Sequence, residues 1–274
     1  MALVRKPAVA GTFYPAAADE LAAQVQGLLE DGARALDARP QPVGEGSRIK
    51  ALIAPHAGYI YSGPTAGIAY AALRGLDYDQ VVLLGPCHYA STPLIALAGV
   101  EYFRTPLGDV PVWEEGVARV GVLPEIITSP EVHRREHSLE VHLPFIQTAL
   151  GPDIPVLPLA VGWAESGAVA TMIDSVYGDP KTLVVISSDL SHYLPYWNAI
   201  ERDERTIARM LGASGEIKGE DACGVYPVNG WREIAHRRGL AAHLLDYRNS
   251  GDTAGDKNAV VGYAAIQYHQ AGGR

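Results

Sequence analysis

Three apolar runs in this chain end in the same way. Ile49–Ala54 runs into Pro55-His56-Ala57-Gly58-Tyr59, and Val81–Leu84 into Gly85-Pro86-Cys87-His88-Tyr89. Leu183–Ile186 runs into Ser187-Ser188-Asp189-Leu190-Ser191-His192. Imidazole and carboxylate groups bind divalent metals and transfer protons near neutral pH. Each run is short and apolar, the pattern of a strand buried on both faces. In open α/β sheets the crevice outside the carboxyl ends of the strands is where ligands bind. His56, His88, Asp189 and His192 can therefore converge there without any local spacing rule. One histidine after a strand is usually a loop residue that satisfies a hydrogen bond. Three such endings, each flanked by Gly, Pro or Ser that lets the backbone turn, favour a shared site.

A fourth group lies in Glu136-His137-Ser138-Leu139-Glu140-Val141-His142. On a helix, His137 and Glu140 are i,i+3 neighbours and Glu136 and Glu140 are i,i+4 neighbours. No His-Glu-x-x-His string occurs, which argues against a zinc-protease helix. Two readings stay open: a polar helix face paired with Arg134 and Arg135, or groups that support ligands from behind. His133 is read as a surface residue. Cys223 precedes a predicted helix. A free cysteine is ordinarily a small buried hydrophobe, although a helix N-terminus can stabilise a thiolate; composition alone favours the buried reading. Cys87 receives no role. Tyr59, Tyr61, Tyr89 and Tyr193 adjoin the strand endings, where they either wall a pocket or pack. His236 shares a basic helix face with Arg232, Arg237 and Arg238, and His243 and His269 lie in or beside the closing strands.

The elements that must carry these groups alternate along the chain. Helices are expected at Ala18–Gly32, Pro64–Leu73, Pro130–Leu150 (bent or restarted at Pro144), Ser166–Tyr177, Trp197–Leu211 and Gly230–Arg238. Further strands are expected at Leu94–Ala98, Ile154–Val161, Ala241–Tyr247 and Val260–Tyr268. Asp37–Ser47, rich in Pro and Gly, reads as a loop. Short apolar strands alternating with helices predict an α/β fold, a central mostly parallel or mixed sheet covered by helices on both faces.

The 274 residues are read as one domain, 1–274. With 48 % hydrophobic and 19 % charged residues the chain can build a sizeable core. Its net charge of −9 argues against nucleic acid as a partner. Two cysteines exclude a multi-disulfide scaffold and a four-cysteine zinc module, and a reduced, cytoplasmic chain is the simpler reading. No apolar run approaches the ~20 residues a membrane span needs, and Pro7 and Gly11 stand where a signal peptide would be apolar.

Taken together, six strings in order resemble the Memo family, called protein B of the bacterial and archaeal AmmeMemoRadiSam gene cluster. They are Arg5-Lys6-Pro7-Ala8-Val9-Ala10-Gly11-Thr12-Phe13-Tyr14-Pro15; Ala54–Tyr59 with Ser62-Gly63; Gly85–His88; Glu136–Pro144; Ser188–Tyr193; and Asp221-Ala222-Cys223-Gly224. The resemblance runs nearly end to end. It implies a fold similar to the class III extradiol dioxygenases, which are non-haem iron enzymes that open catechol rings. It implies a metal site of His56, His88 and Cys223 with Asp189 alongside, and His192 and Asp189 as catalytic groups. His137, Glu140, Tyr59 and Tyr193 would lie behind the ligands or line a substrate pocket. Iron(II) is the first expectation for the metal, with copper or zinc as alternatives. The dioxygenases use two histidines and a carboxylate; a thiolate in that place is softer and shifts preference toward copper(I), zinc or redox-active iron. Ring cleavage therefore does not follow from the fold. The expected function is oxygenase-like or redox chemistry on a small chelating substrate. The alternatives are a copper- or iron-handling protein, or a module that binds a peptide or proteins encoded in the same gene cluster.

Overall fold

The computed structural model describes residues 2–39 and 48–270. The chain opens with strand β1 (Val4–Arg5), helix α1 (Ala18–Asp37), β2 (Ile49–Ala54), α2 (Tyr59–Ala71) and β3 (Gln80–Pro86). It continues through β4 (Ile95–Leu97), the hairpin β5 (Tyr102–Thr105) and β6 (Gly108–Pro111), α3 (Glu114–Val120), β7 (Ile126–Thr128) and α4 (Pro130–Arg134). After a 3₁₀ turn at Glu140–His142 come α5 (Leu143–Leu150), β8 (Val156–Val161), α6 (Ser166–Val176), β9 (Thr182–Ser187) and β10 (His192–Leu194). The last elements are α7 (Tyr196–Met210), α8 (Val225–Arg237), β11 (Leu240–Asn249) and β12 (Val260–Gln270).

The main sheet runs β10-β12-β2-β9-β3-β8-β4-β7, with β11 paired to β12. Its centre is parallel: Ala51 lies opposite Val184, Val82 opposite Val184, and Leu84 opposite Leu159. The flanks are antiparallel where β12 meets β2 and where β4 meets β8. Side chains alternate across the pleat. Leu52, Leu83 and Val185 meet Leu21 and Val25 of α1, Ile68 of α2 and Phe145 of α5 on one face. Val82, Leu84, Val184 and Ile186 meet Val169 and Ile173 of α6, Ile207 of α7 and Trp231 of α8 on the other. This two-sided burial is why the strands read as continuous apolar runs, and it bears out the α/β expectation of helices on both faces. Among the described residues no helix is long and apolar enough to cross a membrane.

Three helices depart from the sequence reading. The stretch expected to be helical from Pro130 to Leu150 is broken: α4 ends at Arg134, and Pro144 is the second residue of a new helix, α5. The break has a local cause. The Glu136 carboxylate accepts the backbone N–H groups of His137 and Ser138, each at 2.9 Å, an alternative to helical carbonyl partners. His137 and Glu140 therefore do not share a helix face. Helix α2 starts five residues before Pro64, because Tyr59 N–H bonds Phe13 O and Ser62 N–H bonds Gly58 O. Helix α8 likewise starts at Val225, with Pro227 in its first turn where no N–H is needed. Of the loop expected at Asp37–Ser47, Asp37 closes α1 and residues 40–47 lie outside the described residues.

Candidate metal centre

The carboxyl ends of the parallel strands β2 and β3 deliver His56 and His88 to one crevice, and the 135–139 loop adds His137. One ring nitrogen from each lies within 4.8 Å of the others. The His88 and His137 rings stack at 4.5 Å between centroids and 17° between planes, and His56 meets both edge-on.

The hydrogen bonds fix which nitrogens are free. Ser187 Oγ donates its single proton to Ser138 O at 2.6 Å. His56 Nδ1, 2.6 Å from the same Oγ, must therefore be the donor, and the lone pair falls on His56 Nε2. His88 Nδ1 lies 2.8 Å from Glu136 Oε1, and a carboxylate can only accept, so the His88 lone pair is also on Nε2. An imidazole whose remote N–H is held by a carboxylate or an oxygen acceptor is the arrangement that orients metal-binding histidines. His137 Nδ1 is shut away from solvent and has no hydrogen-bond partner.

Close packing holds these segments in place. A Cβ on Gly85 would sit 2.7 Å from Ser138 Oγ, so only glycine lets the 135–139 loop press onto the end of β3. A Cβ on Gly224 would sit 2.6 Å from Ser187 O, so the Cys223 turn has the same requirement against β9.

Cys223 Sγ lies 3.4 Å from His56 Nε2 and accepts the Asp189 N–H at 3.2 Å. It adjoins the three imidazoles through His56. Asp189 is buried, and its Oδ1 accepts the His56 N–H at 2.8 Å, which clamps the turn that carries the imidazole. His192 Nδ1 donates to Leu190 O at 2.8 Å, leaving its lone pair on Nε2. Its neighbour Tyr193 is exposed and is the one non-glycine residue of the described chain with positive φ, at 58°. It stands where the register between β10 and β12 shifts, a bulge that re-aims the adjoining side chain.

Other expected pocket residues are tied up elsewhere. Tyr59 is buried among Tyr14 and Phe145, with its hydroxyl on Val141 O. Glu140 is buried and accepts from Arg5, Tyr14 and the backbone of Ala8 and Val9. His133, read from sequence as a surface residue, is buried, with Nε2 donating to Ala96 O at 2.8 Å. Glu136, which orients His88, belongs to the segment whose second reading is the support of ligands from behind, and Ser187, which orients His56, is not among the residues read from sequence as part of the site. Ser187 begins a strand ending that was recognised, but nothing local marks Glu136 as the partner of a histidine 48 positions away.

Burial keeps His56 and His137 neutral and their lone pairs available. Burial, then the neighbouring His88 and His137, pushes His56 well below the usual histidine range. Burial, then His88, brings His137 down to about 4. Burial acts on Glu136 in the opposite sense, but hydrogen bonds from His88 and from backbone N–H groups outweigh it and hold the carboxyl down to about 2. Burial, then the Asp189 charge, raises the Cys223 thiol, so without a metal its proton stays on, facing His56 Nε2.

Two buried histidines outside the cluster make the fold acid-sensitive. Burial lowers His133 to about 4 and His142 to about 3. The unfolded chain takes up these protons below its ordinary pKa of about 6.5, while the folded chain does not. Their contribution is thus fully present above that pH and is lost as pH falls, at roughly 2–3 kcal/mol per pH unit for the pair below pH 6. Urea midpoints are expected to be flat from pH 8 to 7 and to fall steeply from 6 to 5; a midpoint unchanged at pH 5 would refute this.

The fold and the site define a class: an α/β protein with a histidine cluster and an adjoining thiol at the carboxyl ends of parallel strands. A family profile described as "Memo-like protein" matches residues 5–267. A "MEMO1 family protein" of Sulfolobus acidocaldarius is 34 % identical over 283 residues, covering 97 % of this chain and 99 % of that one. Similar proteins of Pyrobaculum arsenaticum (36 % identical, 97 % and 99 % covered) and Methanosarcina barkeri (35 %, 96 % and 99 %) carry the same family name. The chain belongs to the Memo family.

Proposed function

We propose that His56 and His88 hold a transition-metal ion with His137, Cys223 or Asp189 as further donors, and that the chain carries out oxygenase-like or redox chemistry on a small chelating substrate. The observation that carries this reading is the convergence of three imidazoles, two with their Nδ1 protons already committed to Ser187 and Glu136. A bound iron or copper ion would supply Lewis acidity and redox capacity toward the chelated substrate. The chain supplies the rest. Ser187 and Glu136 orient the ligands, Asp189 fixes the His56 turn, and His192 Nε2 takes or returns a proton.

A second reading, metal handling or redox without ring cleavage, is favoured by the thiol 3.4 Å from His56 Nε2. A soft sulfur donor there selects copper(I) or zinc over iron(II). Anaerobic titration separates the two. On the first reading, iron(II) with 4-nitrocatechol gives a new charge-transfer absorption that is lost in His88→Ala. On the second, copper(I) binds orders of magnitude more tightly than iron(II), and Cys223→Ser removes most of that preference. An unchanged spectrum with no metal preference counts against both.

A further inference from the structure

Beside the histidine cluster, between the ends of β3 and β8, lies a cavity of about 470 Å³. His88 and Cys223 form part of its wall, and Tyr89, Trp163 and Tyr226 form much of the remainder. These three aromatic side chains come from three separate segments: the turn after β3, the residues after β8, and the first turn of α8. All three remain substantially exposed, Trp163 at 54 % and Tyr89 at 52 %. Trp163 and Tyr226 also border a neighbouring cavity of about 1240 Å³ and so stand between the two, and the apolar surface that they and Tyr89 leave facing water marks a binding site. Tyr89 lies under the Arg135 guanidinium at 4.9 Å, and the backbone N–H of Trp163 bonds Thr92 O at 2.8 Å, which fixes the turn that carries the indole. No Lys, Arg, Asp or Glu lines the cavity beside the cluster. Its occupant is therefore not recognised there by ion pairing but by aromatic faces, with the His88 imidazole at one end. The volume falls in the range of small-molecule sites and suits one or two fused rings.

We infer that this cavity seats the ring of a planar aromatic substrate, with Trp163 and Tyr226 as the specificity-determining residues and the substrate's donor atoms turned toward His88. The placement of the donor atoms rests on the metal reading above; the seat of the ring does not. Aromatic contact contributes beyond the area it buries, so removing one face weakens a ring ligand and spares a ringless chelator.

The test uses 2,3-dihydroxynaphthalene as the ring ligand and acetohydroxamate as the ringless chelator. Each is titrated calorimetrically and without oxygen into the iron(II)-loaded full chain. Trp163→Ala and Tyr226→Ala are each expected to weaken dihydroxynaphthalene about tenfold and to leave acetohydroxamate within twofold of the unsubstituted chain. Trp163→Phe keeps a flat face and should restore ring affinity to within threefold. Equal losses for both ligands, or no loss for the ring ligand in either variant, would overturn the inference. Should the chain take up no metal, the metal reading fails by that count alone, and the ring seat is then read in metal-free protein with 2-naphthol. Binding that Trp163→Ala abolishes upholds the seat, and absence of naphthol binding overturns it.

Discussion

Glu140→Ala is expected to cost at least about 4 kcal/mol of folding stability, a large share of the 5–15 kcal/mol typical of a whole domain. The Glu140 side chain is fully buried and is used by four donors. The Arg5 guanidinium pairs with it, Tyr14 Oη donates at 2.5 Å, and the N–H groups of Ala8 and Val9 donate at 2.7 and 3.0 Å. Removing the carboxylate strands the Arg5 charge in a buried setting and leaves two backbone donors without partners. Breaking a buried pair in this way costs about 3–5 kcal/mol, and each orphaned donor adds about 1–3 kcal/mol unless water enters. The damage extends to the site, because Arg5 also donates to the backbone oxygens of His133 and Glu136. The N-terminal segment is thereby tied to the loop that carries His137. Glu140→Gln keeps the shape but turns an NH₂ toward donors, and it should fall between the two. Urea unfolding measures both; a loss under 1 kcal/mol for Glu140→Ala would show that the network contributes little.

Glu136→Ala should weaken metal binding by about 10–100-fold, the usual effect of removing the group that orients a ligand histidine. Without the carboxylate nothing named here holds the His88 Nδ1 proton, and the backbone N–H groups of His88, His137 and Ser138 lose their acceptor. Two of the three imidazoles then lose their fixed positions together. The same carboxylate also stabilises the fold. Its folded pKa of about 2 lies below the ordinary value of about 4.5, so its contribution is present above that ordinary value and is lost as pH falls toward 2. Competition with a chromophoric chelator at pH 7 gives the affinity, and circular dichroism establishes that the variant is folded. A folded Glu136→Ala protein that binds metal within twofold of the original would remove Glu136 from the site.

Much of this was legible in the chain because the central strands are buried on both faces. Ile49–Ala54, Val81–Leu84 and Leu183–Ile186 carry no polar residue that would blur their ends except Lys50, and the chemistry sits just past each end. The same rule reaches Trp163, which follows Val161-Gly162 at the end of β8 and which sequence reading passed over because tryptophan is not a metal-ligating or proton-transferring group. The loop around Glu136 was less legible. Its spacing of polar residues mimics a helix face, and what stops the helix is a carboxylate turned onto its own backbone and onto His88, a tertiary contact without a sequence period. His133 was misplaced for a related reason. Its flanking residues Glu131, Arg134 and Arg135 are exposed, while its own ring is drawn inward by the carbonyl of Ala96.

The most direct test of the central claim is the metal content of protein purified without oxygen or chelator, compared between the unsubstituted chain and His56→Ala, His88→Ala. One transition-metal ion per chain, lost in the double variant while the fold persists, is the expected result. Equal metal content in the two proteins, or none in either after exposure to iron(II), copper(I) and zinc in turn, would contradict it.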